Sequence, residues 1–586
     1  MTEAGTSGGA AGSGHPPAPI RLWAPFARNV DLVLGAKRVP MESHEGGWWA
    51  VETVAKDIDY AFSLDGSEPL PDPRSPRQPA GAWGASRRVG DAFPWTDAGW
   101  VAPPFEDRVI YELHVGTFTP EGTFAAAQHK LDHLVDLGVD CVELMPVNEF
   151  PGLRGWGYDG VGLYAPHHAY GQPDDLKRLV DACHARGLAV LLDVVYNHIG
   201  PSGDLLGRFG PYLADRLRTP WGDAFNLDGA GSDEVRSFLI ENALMWLERY
   251  HFDGLRLDAV QALVDRSAVH LLEELAVAVE GSVAKSGRAA VLIAESDLND
   301  PRIVRPRDRG GYGIDAQWSD DFHHAVHALL TGERNGYYQD FGGIAEVAKS
   351  LQNGYVYDGG YSRYRARRHG RSPRGLPGRS FVGYLQNHDQ IGNRARGERI
   401  DAIAGIEMQQ IGAALVLCSP FVPLLFMGEE WMASTPFHYF TDHGDPELGG
   451  AVAAGRKLEF EAFGWDPGDI SDPQDAGTFA ASKLRWDEIA SEPHRTMLRW
   501  YRDLIRLRKA RPELKPGRLE DVGVRYDTSA GWLVLERGPT AIACNLSDGN
   551  VIVPEIVGEV LLSSRPLDAA GGKLLLPARS VAIISP

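Results

Sequence analysis

Residues 252–260, "FDGLRLDAV", decide the fold, because this short stretch has one apolar side and one charged side. Successive side chains of a β-strand point to opposite faces, so Leu255 and Leu257 share one face while Arg256 and Asp258 share the other. The leucines suit an outer layer of helices. Arg256 and Asp258 would then point into a barrel, near the carboxyl end of a strand, where barrel enzymes keep their active sites.

Around this strand, from about residue 105 onward, apolar strands alternate with amphipathic helices, which is the pattern of a parallel sheet. Helices are predicted at 123–138, 173–187, 233–250, 266–281, 402–418 and 493–509. Eight strands are predicted, and eight close a (β/α)₈ TIM barrel. They are "VIYELHV" (109–115), "VDCVELMPV" (139–147), "LAVLLDVV" (188–195), "DGLRLDA" (253–259), "AAVLIAE" (289–295), "IDAQWSD" (314–320), "RSFVGYLQNHD" (379–389) and "FVPLLFMGEE" (421–430).

The fold class predicted for the chain is α/β, with the TIM barrel flanked by an N-terminal β-sandwich and a C-terminal β-domain. Short strand-like runs precede the barrel and return after it, which is typical of small β-domains. The predicted divisions are a disordered tail at 1–18, the sandwich at 19–100, the barrel at 101–513 and the second β-domain at 514–586. Two long insertions, at about 333–379 and 431–491, are assigned to barrel loops.

Composition and charge limit the possible ligands. A net charge of −21 opposes binding to nucleic acid or to an anionic membrane, because both require basic surface, and it favours a neutral or cationic ligand. The cysteines form no C-x-x-C pair, and the first 18 residues have neither the basic start nor the apolar run of a secretory signal. We therefore expect a cytoplasmic protein with reduced thiols.

Charged residues recur where predicted strands end. Asp193 ends one strand, with His198 just beyond it; Glu295 ends another, and His388 and Asp389 end a third. Taken singly, each acid could cap a helix or pair with an arginine, and each histidine could be structural. One active site explains all of them together. Converging carboxylates could bind a divalent metal or perform two-carboxylate glycosyl transfer, and the nearby arginine and histidines favour the second.

Four motifs resemble those of the α-amylase family of glycoside hydrolases and transferases: "DVVYNH" (193–198), "GLRLDAV" (254–260), the glutamate of "IAES" (293–296) and "QNHDQIG" (386–392). The resemblance covers the chain from about residue 20 to its end. It implies Asp258 as the nucleophile, Glu295 as the general acid/base and Asp389 as a third carboxylate that stabilises the transition state. It also implies that the substrate is bound by Tyr158, Asp193, His198, Arg256 and His388. We expect no metal or other cofactor, because the sequence has no ligand spacing like H-E-x-x-H or an EF-hand loop.

Within the family, "RVIYELHVGTFTPEGTF" (108–124) after a β-sandwich is similar to the branch that contains glycogen branching enzymes, isoamylases and maltooligosyltrehalose trehalohydrolases. The form "WGYDGVGLYAP" (156–166) and the segment after the eighth strand look most like the trehalohydrolases. This implies an α-glucan substrate, release of trehalose, and a pathway partner, maltooligosyltrehalose synthase, that supplies the substrate. A branching enzyme with the same carboxylates is the alternative.

Recognition of the trehalose end needs contacts beyond the scissile bond, from loops after several strands. The candidates lie in "QWSDDFHH" (317–324) and "GEEW" (428–431). They could equally be buried structural residues. They are Trp318, Asp320, Asp321, His323, Glu429, Glu430 and Trp431, of which Trp318, Asp321, His323 and Glu430 are our predicted acceptor-side residues.

Overall fold

Eight parallel strands form a closed barrel in the computed structural model, which describes residues 19–52, 57–90, 92–202, 205–461, 463–567, 569–570 and 573–585. Each strand pairs with the next along the chain, and the last pairs with the first through Leu424 and Ile110. The predicted α/β fold class is confirmed, with a strand at each predicted position. The strands are β1 (Ile110–Leu113), β2 (Cys141–Leu144), β3 (Ala189–Val194), β4 (Gly254–Leu257), β5 (Val291–Ala294), β6 (Ala316–Trp318), β7 (Phe381–Tyr384) and β8 (Val422–Phe426).

The barrel interior has an apolar part and a charged part. Ile110, Cys141, Leu191 and Ile293 belong to one buried apolar cluster inside the barrel. Two residues further along each of these strands, in the same side-chain phase, come Glu112, Glu143, Asp193 and Glu295. The apolar layer therefore supports a layer of ionisable groups at the carboxyl ends of the strands. Side chains on the opposite faces of the strands, such as Leu255 and Leu257, pack in the larger core against the helices.

Helices surround the barrel, and three of them differ from the prediction. The helix predicted at 123–138 is two short helices, and the one at 402–418 is interrupted by Gly405, whose φ of 87° a right-handed helix cannot accommodate. The helix predicted at 266–281 runs over Leu271–Ser286, because Asp265 accepts hydrogen bonds from the Ser267 and Leu271 amides and holds the intervening chain in a turn. The α-helices are Val115–Phe118, Phe124–Gln128, Leu131–Leu137, Pro173–His184, Leu205–Phe209, Ser232–Arg249, Leu271–Ser286, Asp320–Thr331, Ile344–Asn353, His388–Gly392, Ile400–Ala404, Ile406–Leu417, Pro446–Glu461, Ala476–Ala481 and His494–Ala510.

Antiparallel sheets lie on both sides of the barrel in sequence. One N-terminal sheet contains Ile20–Trp23, Glu42–Ser43 and Trp48–Val51, and the other contains Val30–Leu34, Lys37–Pro40, Asp59–Leu64 and Ser86–Arg87. The C-terminal sheets contain Val522–Asp527, Trp532–Arg537, Thr540–Asn545, Glu559–Ser563 and Ser580–Ser585, and Val551–Val553, Ala569–Ala570 and Lys573–Leu576. Hairpins within the barrel loops are Asn148–Glu149 with Gly162–Pro166, Leu213–Arg218 with Asp223–Phe225, and Asp358–Ser362 with Arg367–Gly370.

The β-rich terminal regions agree with the predicted fold, whereas the domain boundaries near residues 100 and 513 remain predictions. The predicted tail at 1–18 lies outside the described residues. Among the helices of the described ranges, none combines the length and the apolar character required to cross a bilayer.

Gly254 provides a test of the packing at the start of β4. A Cβ atom at this position would lie 2.4 Å from the Val291 carbonyl oxygen and 2.8 Å from Leu191 Cδ2, so Gly254→Ala should lower the free energy of unfolding by about 1–3 kcal/mol. Gly281, inside the helix Leu271–Ser286, has nothing within 4 Å of such an atom, so Gly281→Ala should raise it by about 0.5–1 kcal/mol. Denaturant titration measures both changes. If both substitutions changed the free energy of unfolding equally and in the same direction, this description of the packing would be contradicted.

Candidate active site

One buried guanidinium, that of Arg256 on β4, lies at the centre of the charged layer. Its Nη1 is 2.9 and 2.8 Å from the two oxygens of Asp193 and 2.7 Å from Asp258 Oδ1. Its Nη2 is 3.6 Å from Glu295 Oε2. The Arg256 side chain is only 2% exposed, and its guanidinium carbon lies 4.3 Å from the centre of the Trp318 ring. A single cation therefore neutralises and orients carboxylates from three neighbouring strands.

Asp258 and Glu295 reach the partly open end of the barrel, with 14% and 19% of their side chains exposed. Asn197 Nδ2 donates to Asp258 Oδ2 over 2.8 Å, and the Ala259 amide donates to Glu295 Oε2 over 2.6 Å. Ala259 has a left-handed backbone with φ of 38°, which is uncommon outside glycine. This turn directs the backbone amide that follows Asp258 toward Glu295, so the two carboxylates are held on either side of one guanidinium.

Glu295 is placed to carry a proton. Burial raises its pKa well above the usual value; Arg256 opposes the increase, and the negative charges of Asp258, Asp320 and Asp389 add to it. Asp389 lies in the first turn after β7, where Asn393 Nδ2 donates to its Oδ1 over 2.6 Å. Two acids bridged by one arginine thus have different surroundings, as an acid and a nucleophile require.

A hydrogen-bonded chain runs from Arg256 to the far side of the barrel. Tyr158 donates to Asp193 Oδ2 over 2.6 Å and lies 2.8 Å from His388 Nε2. The other ring nitrogen of His388 contacts Glu112 on β1. His198 is fixed separately, because its Nε2 is 3.1 Å from the Tyr158 carbonyl oxygen, and burial lowers its pKa. Four of the five predicted substrate-binding residues therefore share one hydrogen-bonded network: Tyr158, Asp193, Arg256 and His388.

The four predicted acceptor-side residues lie in the interior instead, with exposures between 0% and 5%. Asp321 accepts hydrogen bonds from the Val356 and Tyr357 amides, and His323 contacts the Leu385 carbonyl oxygen and Tyr338. Trp318, like Ala316, points from β6 into the barrel. Glu430 contacts Tyr111 and His133 on the outer side of β1. The structure therefore does not bring the predicted acceptor-side residues to the open end of the barrel, and this holds for Trp318, Asp321, His323 and Glu430.

Sequence reasoning missed several residues that contact the site. Asn197 lies within a quoted motif, but nothing in its spacing indicates a bond to Asp258. Glu112 reads as an ordinary polar residue of its strand. Trp221 lies in the turn between Leu213–Arg218 and Asp223–Phe225; it is 48% exposed, and its ring lies 5.9 Å from that of His198. An exposed aromatic residue beside a predicted substrate-binding residue indicates a possible sugar contact, but the sequence does not show that Trp221 and His198 are neighbours.

A second group of ionisable residues could suggest a metal. Ligand atoms of Glu149, His167 and His168 lie within 4.8 Å of one another. However, the Ala169 amide donates to His167 Nδ1, so the proton of this neutral ring is on Nε2, which contacts the Gly152 carbonyl oxygen. The nitrogen that faces Glu149 is therefore not a free electron-pair donor. The group fits a metal ion poorly and fits an ion pair between His168 and Glu149 well.

The fold and this site define a glycosidase of the α-amylase family: an eight-stranded parallel barrel with acids after strands β4, β5 and β7. Residues 90–207 match the family model described as alpha amylase, catalytic domain, and 517–583 match a domain of unknown function (DUF3459). The malto-oligosyltrehalose trehalohydrolase of Arthrobacter ramosus is 52% identical over 94% of this chain and 96% of its own. The chain therefore belongs to the malto-oligosyltrehalose trehalohydrolases.

Two other comparisons are informative. A crystal structure of a Salmonella typhimurium protein described as an alpha amylase superposes with a TM-score of 0.88, is 39% identical, and covers 97% of both chains. The 1,4-alpha-glucan branching enzyme of Mycolicibacterium paratuberculosis is 30% identical over 51% of this chain and 46% of its own. The likeness to the branching enzyme is therefore more distant and only partial.

Arg256→Met tests the central ion pair. It should lower the free energy of unfolding at pH 7 by about 3–5 kcal/mol, because it leaves Asp193 buried without a cation. Burial raises the pKa of Asp193, so the loss should diminish as the pH falls and this carboxyl becomes protonated. Adding Asp193→Asn should recover part of the stability.

Arg307→Met is the matched control, because Arg307 also forms a two-point ion pair, with Glu280, but on the surface. Its effect on stability should be much smaller, because solvent screens an exposed ion pair. Urea titration compares the variants, and a similar cost at both positions would rule out a special role for the buried pair.

Proposed function

We propose that this protein is a retaining glycoside hydrolase that cleaves the α-1,4 bond next to the terminal trehalose of maltooligosyltrehalose and releases free trehalose. The observation that carries the proposal is the pair of carboxylates, Asp258 and Glu295, held by one Arg256 guanidinium at the open end of the barrel. Retaining glycosidases require two closely spaced carboxyl groups with different protonation states.

In the first step, a carboxylate oxygen of Asp258 attacks the anomeric carbon while Glu295 gives its proton to the glycosidic oxygen, and trehalose leaves. In the second step, Glu295 takes a proton from water, the water oxygen attacks the same carbon, and the bond to Asp258 breaks. Activity should fall as the pH rises through the raised pKa of Glu295, because the first step requires its protonated form. Asp389 would bind sugar hydroxyls and stabilise the positive charge of the transition state.

The surrounding residues support sugar binding. The Tyr158 ring, partly exposed and fixed by Asp193 and His388, would cover the apolar face of the reacting sugar. Arg256 and Asn197 orient the nucleophile. The net charge of −21 is compatible with a neutral glucan. The acceptor-side contacts are assigned to loops around the mouth, among them the turn that carries Trp221.

We further propose that the protein acts in the cytoplasm on substrate supplied by maltooligosyltrehalose synthase. The support is indirect. The four cysteines, Cys141, Cys183, Cys418 and Cys544, are buried and unpaired, which suits a reducing compartment. A maltooligosyl chain that already ends in trehalose must be made by an enzyme that rearranges the reducing end of a glucan.

Incubation with maltotriosyltrehalose tests the proposed function. The expected products are trehalose and maltotriose, which chromatography separates. The alternative is a branching enzyme, which transfers the glycosyl unit to a glucan hydroxyl instead of water. New α-1,6 branches on amylose without trehalose release would favour that alternative and sink the hydrolase proposal.

The proton-donor role of Glu295 can be separated from general damage to the site. Glu295→Gln should lower kcat/KM on maltotriosyltrehalose, which reports the first step, by about 10²- to 10⁴-fold, because the leaving sugar needs a proton. On α-maltosyl fluoride the loss of kcat/KM should be much smaller, because fluoride leaves without a proton. Asp503→Asn, on the outer helix His494–Ala510, is the control and should change neither rate. Equal losses on both substrates would contradict the assigned role.

Trp221 is predicted to bind substrate without taking part in the chemistry. Trp221→Ala should raise KM several-fold, by removing about 1 kcal/mol of aromatic contact with sugar, and should change kcat little. Trp83→Ala is the matched control, because Trp83 is similarly exposed (51%) but lies in the N-terminal region. Steady-state kinetics with maltotriosyltrehalose measures both, and the same response from the two variants would argue against a sugar contact at Trp221.

A further inference from the structure

Two buried glutamates lie side by side beneath the proposed sugar site. Glu112 on β1 and Glu143 on β2 are paired in register, face the barrel interior and are each 1% exposed. Their hydrogen bonds differ completely. Both oxygens of Glu112 contact His388, one through the backbone amide over 3.0 Å and the other through ring nitrogen Nδ1. Neither oxygen of Glu143 has a hydrogen-bond partner among the described residues.

The direction of the hydrogen bonds defines the charge on His388. Asp193 accepts from Arg256, and a carboxylate can only accept, so the Tyr158 hydroxyl gives its hydrogen to Asp193. The Tyr158 oxygen then accepts from His388, which places a proton on Nε2. An ionised Glu112 also accepts only, which places a second proton on Nδ1. A ring with both nitrogens protonated is an imidazolium cation.

We propose that Glu112 is a positioning residue for the glycosidase reaction, which holds His388 as a cation and so anchors Tyr158 and Asp193 beneath the sugar, while Glu143 is a protonated bystander. Only the expected effect of Glu112 on the rate of trehalose release rests on the proposed function. The chain runs from Glu112 through His388, Tyr158 and Asp193 to Arg256.

Charge balance in the interior agrees with this assignment. His388 is faced by Glu112, by Asp389 next to it and by the cation of Arg256, and neutral His114 lies nearby. Burial lowers the pKa of His388, but the contact with Glu112 and the charge of Asp389 together outweigh that effect and raise the pKa above its usual value. Burial, together with the charges of Glu112 and Asp193, raises the pKa of Glu143 well above the usual range. Of two adjacent acids, the one with a cationic partner is ionised and the other is neutral.

The two glutamates form a matched pair for an experiment, because Glu→Gln changes charge and hardly changes shape. In Glu112→Gln the amide can donate to Nδ1, which favours the neutral ring with its proton on Nε2 and keeps the Tyr158 contact. The structure should therefore survive and only the charge should be lost. Glu143→Gln replaces a neutral acid by a neutral amide, so it should leave His388 unchanged.

The first measurement is an NMR titration of the full chain labelled at histidine Cε1, with the His388 signal assigned by its absence in His388→Gln. The pKa of His388 should fall by at least one pH unit in Glu112→Gln, remain near the wild-type value in Glu112→Asp, and be unaffected by Glu143→Gln. A neutral His388 in the wild type, or equal shifts in both Gln variants, would overturn the proposal.

The second measurement is the pH dependence of kcat/KM for trehalose release. Glu112→Gln should lower kcat/KM about tenfold near neutral pH and move its alkaline limb to lower pH, because the cation now persists only in acid. Glu112→Asp should restore most of the activity, and Glu143→Gln should match the wild type. A uniform loss at every pH would indicate damage to the fold and refute a role for the charge. If the wild type releases no trehalose, the NMR titration still decides the state of His388, so the two failures are distinguishable.

Discussion

The interaction on which the site depends is the ion pairing of Arg256 inside the barrel. Carboxylates are costly to bury, and three of them, Asp193, Asp258 and Glu295, converge on a space lined below by apolar side chains. One planar guanidinium can satisfy several acceptors in fixed directions, which a lysine ammonium does not. The same contacts that make the charges tolerable also fix the distances between the acids, so the stability of the barrel and the geometry of the candidate active site have one cause.

The barrel could be predicted from the sequence because its determinants are local. Alternation in "FDGLRLDAV" places Arg256 and Asp258 on one face of a strand, and the repetition of strands and helices predicts closure. Glu112 could not be identified in this way. Its partner His388 is 276 residues away, and a glutamate within a strand has no distinctive pattern. The start of the helix Leu271–Ser286 could not be predicted from the sequence either, because it depends on the hydrogen bonds of Asp265.

The acceptor-side residues show where proximity along the chain misleads. Trp318 ends β6 and Asp321 follows it, so both lie near a strand end, as the proposed catalytic acids do. However, the Trp318 side chain points into the barrel, beneath Arg256. Asp321 instead holds two backbone amides of the segment that begins at Val356. Residues that serve the loops are chemically indistinguishable in sequence from residues that serve a ligand. Only the contacts made in the folded chain separate them: Asp321 is occupied by backbone amides, whereas Trp221 is exposed beside His198.

The charges assigned to the interior explain how such a site would favour a cationic transition state. Arg256 and His388 are the cations of the chain of contacts, whereas Asp193, Asp258 and Glu112 are its anions, with Asp389 close by. The carboxylates outnumber the cations. That excess is unfavourable in the free enzyme, but it is fixed in position before the substrate arrives, and positive charge develops on the sugar only in the transition state. Burial favours the protonated form of Glu143, so in this assignment that residue adds nothing to the excess of negative charge.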